Sequence, residues 1–148
     1  LGGYVAGSRT LIEFLSQRAR PFLFSTSHPP AVAATCLAAL DVLEEEPALI
    51  DRLWENARFF KSGLERVGFD TGASESPITP VIVGEAPAAM QLSDRLFDAG
   101  VFAQAIGFPT VPRGKARVRT IVTAAHTRAD LQFALEAFST VGRQMGLI

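Results

Sequence analysis

Residues 108–127 read FPTVPRGKARVRTIVTAAHT, and this stretch decides the fold because it joins a loop punctuated by proline and glycine to a short strand. Side chains along a strand alternate between its two faces. The pattern therefore predicts a strand over residues 116–123, with Arg117 and Arg119 on one face. The opposite face is formed by small and apolar residues and predicts a core contact: Ala116, Val118, Thr120 and Val122. An arginine in this position can hold a planar carboxylate through two hydrogen bonds, and the alternative is a pair of solvated arginines.

Strands and helices alternate through the rest of the second half. We predict strands over residues 78–83 and 101–106, and a helix over residues 87–99. Thr127 and Asp130 have the spacing of a capping box, which predicts the start of a final helix. Apolar residues at spacings of three and four from Leu49 to Val67 predict a long amphipathic helix that ends at Gly68. This order is typical of an α+β sheet backed by helices.

The first part of the chain has a different character. Tyr4 to Ala6 predicts a short strand, and Ser8 predicts the N-cap of a helix. A strongly apolar helix is expected over residues 29–45, and its alanine-rich surface predicts burial on more than one side. Cys36 lies in this helix and is expected to be buried as a small apolar side chain.

Composition restricts the classes of partner. The chain has 148 residues, enough for one core, and a net charge of −1, which gives no electrostatic reason to expect nucleic acid or an anionic membrane as a partner. With one cysteine, an intrachain disulfide framework is excluded. No apolar run reaches the roughly 18 residues that span a bilayer. We therefore expect a cytoplasmic protein that binds neither nucleic acid nor membrane, and no motif predicts a metal site.

Five stretches together resemble one enzyme family. They are LGGYVAGS (1–8), RARPFLFSTSHPPA (18–31), DRLWENARFFKSGL (51–64), SPITPVIVGEAP (76–87) and the stretch at 108–127. Their sequences resemble the α-oxoamine synthases, pyridoxal-phosphate enzymes of fold type I that join an amino acid to an acyl-CoA. The resemblance implies an α/β fold with an α+β C-terminal lobe, namely the C-terminal portion of the aspartate aminotransferase-like fold. Residues 1–45 would complete the large cofactor-binding lobe and its connecting helix, and residues 46–148 would form the small lobe.

The resemblance also implies a cofactor, pyridoxal 5'-phosphate, and residues that hold it. Ser25 matches a serine that reaches the cofactor phosphate of the neighbouring subunit, with Phe24 and Thr26 beside it, which implies a homodimer with a shared active site. The alternative from the residues alone is that Ser27 simply caps the following helix. The lysine that bonds to the cofactor matches a position two residues upstream of Leu1, so we expect no catalytic residue within this chain.

Substrate-binding residues follow from the same resemblance. Arg119 matches the residue that binds the amino-acid carboxylate, Thr110 matches a position lining the substrate pocket, and Arg117 would be structural. A loop threonine bonded to its own backbone is an equal alternative for Thr110. His126 is expected to make structural hydrogen bonds. Lys115 is either an ordinary loop charge or a contact for the phosphates of CoA.

The expected activity depends on finer detail. RPFLFST, DRLWENARFFK and TAAHT together most resemble the glycine C-acetyltransferases, which condense glycine with acetyl-CoA to 2-amino-3-oxobutanoate and CoA, or run the reverse reaction in threonine degradation. The alternative is an 8-amino-7-oxononanoate synthase, which uses alanine and pimeloyl-CoA in biotin synthesis, or an enzyme competent in both reactions. A third possibility, from another class, is a non-catalytic α+β interaction module.

Overall fold

The computed structural model describes residues 3–148, so Leu1 and Gly2 of the first motif lie outside the described residues. Contacts between residues divide the chain into two compact units, and the boundary lies between Pro47 and Ala48.

The first unit contains three helices: α1 (Arg9–Arg18), α2 (Arg20–Leu23) and α3 (Pro30–Glu45). Ser8 caps α1 as expected, because its hydroxyl oxygen accepts a hydrogen bond from the N–H of Leu11 at 3.4 Å. The strand expected at Tyr4 to Ala6 is wrong, since residues 3–7 have no regular secondary structure. An isolated extended segment gains no ladder hydrogen bonds, and no strand is present among the described residues of this unit.

The burial expected for α3 is also wrong within this unit. None of residues 3–47 is buried. Leu37 and Leu40 are 63% and 57% exposed, and Cys36 is exposed as well. The helix forms because alanine and leucine favour helix, but no element within residues 3–47 covers its apolar side chains.

The second unit is a three-stranded antiparallel sheet backed by three helices. Its elements are α4 (Ala48–Val67), β1 (Ile78–Gly84), α5 (Ala86–Asp98), β2 (Gln104–Ile106), β3 (Ala116–Ile121) and α6 (Arg128–Gln144). The strand order is β1-β3-β2, so β3 lies at the centre and pairs with both neighbours. β2 is shorter than the expected strand at 101–106, because only its last three residues pair with β3.

The alternation expected along β3 is confirmed. Ala116, Val118 and Thr120 are buried, whereas Arg117 and Arg119 lie on the other face and are half-buried. Val81 is opposite Val118 in the register, and both are fully buried. The helices add the remaining core side chains: Phe60, Leu64, Leu92, Leu96, Leu131, Leu135 and Phe138. The sheet therefore has one face packed against helices and one face open.

Helices α4 and α5 end in the same way, as does α6 at Gly146. After α4, the N–H of Gly68 bonds to the carbonyl of Glu65 and the N–H of Phe69 to that of Leu64. After α5, Gly100 and Val101 repeat this pattern with Phe97 and Leu96. Gly68 and Gly100 have positive φ angles, 111° and 86°, which the Schellman motif requires. Glycine at these positions therefore stops each helix and turns the chain toward the sheet.

We expect Gly100→Ala to destabilise the protein by about 1 kcal/mol or slightly more, because a Cβ disfavours the left-handed backbone. Gly100→Asn should cost less, since asparagine tolerates this conformation better. Urea unfolding followed by circular dichroism gives the free energies of unfolding. Equal stability of the wild type and the alanine variant would contradict the expectation.

Asn56 of α4 fixes the connection between β3 and α6. Its buried side-chain amide donates hydrogen bonds to the carbonyl oxygens of Thr123 and His126, at 3.1 and 2.9 Å. The Nδ1 atom of His126 accepts the N–H of Thr123 at 3.1 Å. One buried amide thus satisfies two backbone carbonyls and fixes where the strand ends.

The capping box expected at the start of α6 is confirmed. The Thr127 hydroxyl accepts the N–H of Asp130 at 3.2 Å, and the Asp130 carboxylate accepts the N–H and the hydroxyl of Thr127, at 2.8 and 2.7 Å. The side-chain and then the backbone hydrogen bond from Thr127 lower the pKa of the Asp130 carboxyl below its ordinary value. The ionised form is therefore favoured in the folded state.

A lowered folded-state pKa contributes stability above the unfolded pKa, about 4, and this contribution is lost as the pH falls through the folded pKa. We expect Asp130→Asn to be less stable than the wild type at pH 7 and pH 5, with the difference narrowing at pH 3. Urea midpoints at the three pH values measure this. If the urea midpoints of the wild type and the variant differ as much at pH 3 as at pH 7, the charge of Asp130 does not contribute to stability.

Candidate active site

The open face of the sheet carries the arginine singled out in the sequence. Arg119 lies at the centre of this face, opposite Pro80 of β1 and Gln104 of β2 in the register. Its Nη2 donates a hydrogen bond to the side-chain oxygen of Gln104 at 3.1 Å. The guanidinium is therefore held across the sheet by a side chain of the neighbouring strand.

One donor of Arg119 has no acceptor among the residues that the structure describes. Its Nε atom is buried, and within residues 3–148 it has no hydrogen-bond partner. A buried donor without an acceptor costs free energy, which an incoming anion would recover. Arg119 also forms no ion pair among the described residues, so its charge is not neutralised by a neighbour. These features fit the binding of a carboxylate.

A cavity of about 710 Å³ opens beside Arg119. It is bordered by residues 100–104, the end of β3 and the start of α6, at the place where the pairing of β2 with β3 ends. Phe60 and Phe138 contribute apolar surface, whereas Arg119, His126 and Asp130 contribute polar groups. The cavity therefore combines apolar walls with a few polar and charged groups, as small-molecule sites commonly do.

The loop before β3 and the start of that strand carry three further cations, Arg113, Lys115 and Arg117. The Nε of Arg117 donates to the carbonyl oxygen of Lys115 at 3.1 Å, so this arginine is tied to its own strand entry. Arg113 lies over the ring of Phe108, with its guanidinium carbon 4.5 Å from the ring centroid. Arg117 thus differs from Arg119 on the same face, because its guanidinium is bonded to the loop.

Thr110 lies in the turn of this loop and is exposed. Its backbone N–H donates to the carbonyl oxygen of Gly107 at 3.0 Å. Within the described residues, Thr110 borders neither the cavity beside Arg119 nor the smaller one beneath Phe108. The structure therefore does not bring Thr110 together with Arg119 at one cavity.

His126 borders the cavity with one ring nitrogen already engaged. Because Nδ1 accepts the N–H of Thr123, this nitrogen is unprotonated when the bond is made. The ring therefore supports the turn between β3 and α6.

Ser25, Thr26 and Phe24 belong to the first unit and follow α2 directly. All three are exposed, and Phe24 is 81% exposed. The Ser25 hydroxyl makes one long hydrogen bond, 3.3 Å, to the carbonyl oxygen of Thr26. These hydroxyls are therefore accessible to a ligand.

The expectation that Ser27 caps α3 is wrong. The N-cap is Pro29, without a side-chain hydrogen bond, and α3 begins at Pro30. Neither proline has an N–H to offer to an anion. Within residues 3–148, the backbone N–H groups of residues 25–28 donate to no protein acceptor. This segment therefore offers hydroxyl and amide donors, which are the kinds of group that bind phosphate.

Two residues with roles at this site were missed from the sequence. Gln104 contacts Arg119, and Asn56 fixes the turn after β3. The first contact depends on the register of β2 against β3, and the second joins residues 67 and 70 positions apart. Neither is visible as a local motif.

Two kinds of feature are absent from the described part of the chain. Among residues 3–148, no group of three or more histidine, cysteine, aspartate or glutamate side chains is arranged to hold a metal ion. No helix in the same range has the length and apolar character needed to cross a membrane.

Known proteins resemble this chain along its whole length. The family model for class I and II aminotransferases matches residues 1–138. An 8-amino-7-oxononanoate synthase of Symbiobacterium thermophilum is 70% identical over 148 residues. The protein named 8-amino-7-oxononanoate synthase 1 of Bacillus subtilis is 52% identical over the same length. A Thermus thermophilus protein named 8-amino-7-oxononanoate synthase/2-amino-3-ketobutyrate coenzyme A ligase is 59% identical. Each comparison covers the whole of this chain. The chain spans 38% of the length of each of these relatives.

Solved structures share the fold. A serine palmitoyltransferase from S. paucimobilis, with a bound PLP–myriocin aldimine, is 32% identical with a TM-score of 0.82, over 92% of this chain and 35% of that chain. The 8-amino-7-oxononanoate synthase of Francisella tularensis is 26% identical with a TM-score of 0.71, over 95% of this chain and 41% of that chain.

These comparisons confirm the expected fold class, a portion of the fold type I architecture, and the resemblance to the α-oxoamine synthases. They correct the expected activity. The expected glycine C-acetyltransferase activity is wrong, because relatives that are 52–70% identical over the whole chain are named 8-amino-7-oxononanoate synthase. Because the model of the class I and II aminotransferase family matches residues 1–138, the chain belongs to this family.

Proposed function

We propose that this chain is part of an 8-amino-7-oxononanoate synthase. The protein would condense L-alanine with pimeloyl-CoA, releasing CoA and carbon dioxide. The observation that carries the proposal is the 70% identity to the S. thermophilum synthase over all 148 residues. The chain spans 38% of that relative, so the activity is proposed for the whole protein.

The cofactor is pyridoxal 5'-phosphate, as expected from the sequence and in agreement with the family and with neighbours solved with PLP. When bound, it serves as an electron sink for the carbanion formed at the substrate α-carbon. In our proposal, the hydroxyls of Ser25 and Thr26 and the free N–H groups beside them hold its phosphate. Phe24 would pack next to this segment.

Arg119 supplies substrate positioning in this proposal. Its guanidinium would bind the alanine carboxylate through Nε–H, which has no partner within residues 3–148, and through a neighbouring N–H. A fixed carboxylate also fixes the direction of the bonds at the α-carbon, so the reacting bond is oriented before chemistry begins. Arg119 itself acts through its charge and hydrogen bonds, because a guanidinium has N–H donors and no acceptor for a proton.

Other parts of the proposal follow the family resemblance. Residues 1–45 would belong to the large lobe and residues 46–148 to the small lobe. Two copies would form a homodimer in which Ser25 serves the active site of the other copy, and the protein would be cytoplasmic. Thr110 would line the substrate pocket when the remaining polypeptide is in place.

Substrate trials test the proposed activity. We expect the holoenzyme to release CoA from pimeloyl-CoA in the presence of L-alanine, with 8-amino-7-oxononanoate identified by mass spectrometry. Acetyl-CoA with glycine is the comparison, since the T. thermophilus relative carries both names. Absence of turnover with pimeloyl-CoA and L-alanine would reject the proposal, whatever the result with glycine.

Arg119→Ala tests the carboxylate site. We expect kcat/KM for L-alanine to fall roughly a hundredfold, because two charge-assisted hydrogen bonds are lost. This corresponds to about 3 kcal/mol of transition-state stabilisation. The KM for pimeloyl-CoA should change little. Arg117→Ala is the matched control, since its Nε is bonded to the Lys115 carbonyl, and its kinetics should stay near those of the wild type. Wild-type alanine kinetics in the Arg119 variant would remove this residue from the site.

A further inference from the structure

We propose that Gln104 is a positioning residue for substrate recognition, which orients the guanidinium of Arg119 without neutralising it. This inference rests on the proposed function, because it assumes that Arg119 binds the carboxylate of the amino acid. It adds a second residue to the site, on a different strand, and it explains why that residue is an amide.

The geometry places Gln104 where it can act on one group. β2 is three residues long, and Gln104 is its first residue. It is directly opposite Arg119 in the antiparallel register, so the two side chains project from the same face. The Gln104 side-chain oxygen accepts from Nη2 of Arg119 at 3.1 Å.

The bond leaves the rest of the guanidinium available. An arginine has five N–H donors in a planar fork, and the bond to Gln104 uses one of them. Nε, on the same fork, is buried and has no partner within residues 3–148. A guanidinium held at one nitrogen loses less conformational entropy when a planar carboxylate binds. Gln104 therefore prepares Arg119 for its ligand.

The neutrality of Gln104 is as important as its position. A carboxylate here would form an ion pair with Arg119 and compete with the carboxylate of the substrate. Among the described residues, the ion pair in the structure joins Arg9 and Glu13 on α1, and none involves Arg119. An amide offers an acceptor oxygen and leaves the full positive charge for the ligand.

Gln104→Glu in the complete holoenzyme tests this directly. The substitution keeps the shape of the side chain and adds one negative charge. We expect the dissociation constant of L-alanine, followed by the visible absorption of the cofactor, to rise by about tenfold or more, because an internal ion pair must be broken first. L-alaninamide, which has no carboxylate, should bind within about twofold of its wild-type affinity. A purely structural defect would weaken both ligands alike.

Two further variants complete the design. Gln104→Met keeps the length but removes the acceptor, and we expect a smaller loss of L-alanine affinity, a few-fold, again without loss for L-alaninamide. Gln132→Glu is the matched control, since it adds the same charge at an exposed position of α6, where Gln132 bonds to Glu136. Its affinity for both ligands should equal that of the wild type.

The possible outcomes separate the two proposals. If Gln104→Glu binds L-alanine as tightly as the wild type, or loses affinity for both ligands equally, the proposed role of Gln104 is wrong. A loss of L-alanine affinity in Arg119→Ala would still support Arg119 as the carboxylate site. If Arg119→Ala itself binds L-alanine normally, the carboxylate site is wrong and the inference about Gln104 fails with it.

Discussion

The alternation of side chains along β3 is the constraint on which the described architecture of the second unit depends. β3 is the central strand, so its small and apolar residues meet the helices on one side while its arginines face the other. A shift of one residue in its register would bury Arg117 and Arg119 and expose Val118. Burying two unpaired cations would cost far more than the unit could offset. The core and the candidate site are therefore two faces of one strand.

The neighbours of β3 convert this alternation into a site. Asn56 fixes the turn after the strand, and the capping box of Thr127 and Asp130 starts the next helix directly behind it. On the open face, Gln104 holds one nitrogen of Arg119, and Nε has no partner in the part of the chain that the structure describes. Backbone and buried side chains thus place the guanidinium, and the neutral partner preserves its charge. Such preorganisation reduces the entropy lost on binding.

Prediction from the sequence succeeded where local patterns were sufficient. The helix–strand order of the second unit, the stop at Gly68, the capping box and the two faces of β3 all follow from spacings of two to four residues. It failed in the first unit. The expected strand at Tyr4 to Ala6 and the burial of Cys36 both require partners that are absent from the described residues of this unit. The choice between related activities also failed, because acyl-chain selection depends on pocket shape rather than on short motifs.

By itself, the sequence determined which residues of the second unit face the core and which face is polar, since periodicity follows from backbone geometry. Through its resemblance to a family, it also determined the fold class. Only the tertiary structure decided that Gln104 lies opposite Arg119, that Asn56 reaches the turn after β3, and that one nitrogen of Arg119 is buried without a partner among residues 3–148. These contacts join residues 15 to 70 positions apart, and their existence depends on strand register and helix packing, which no local pattern encodes.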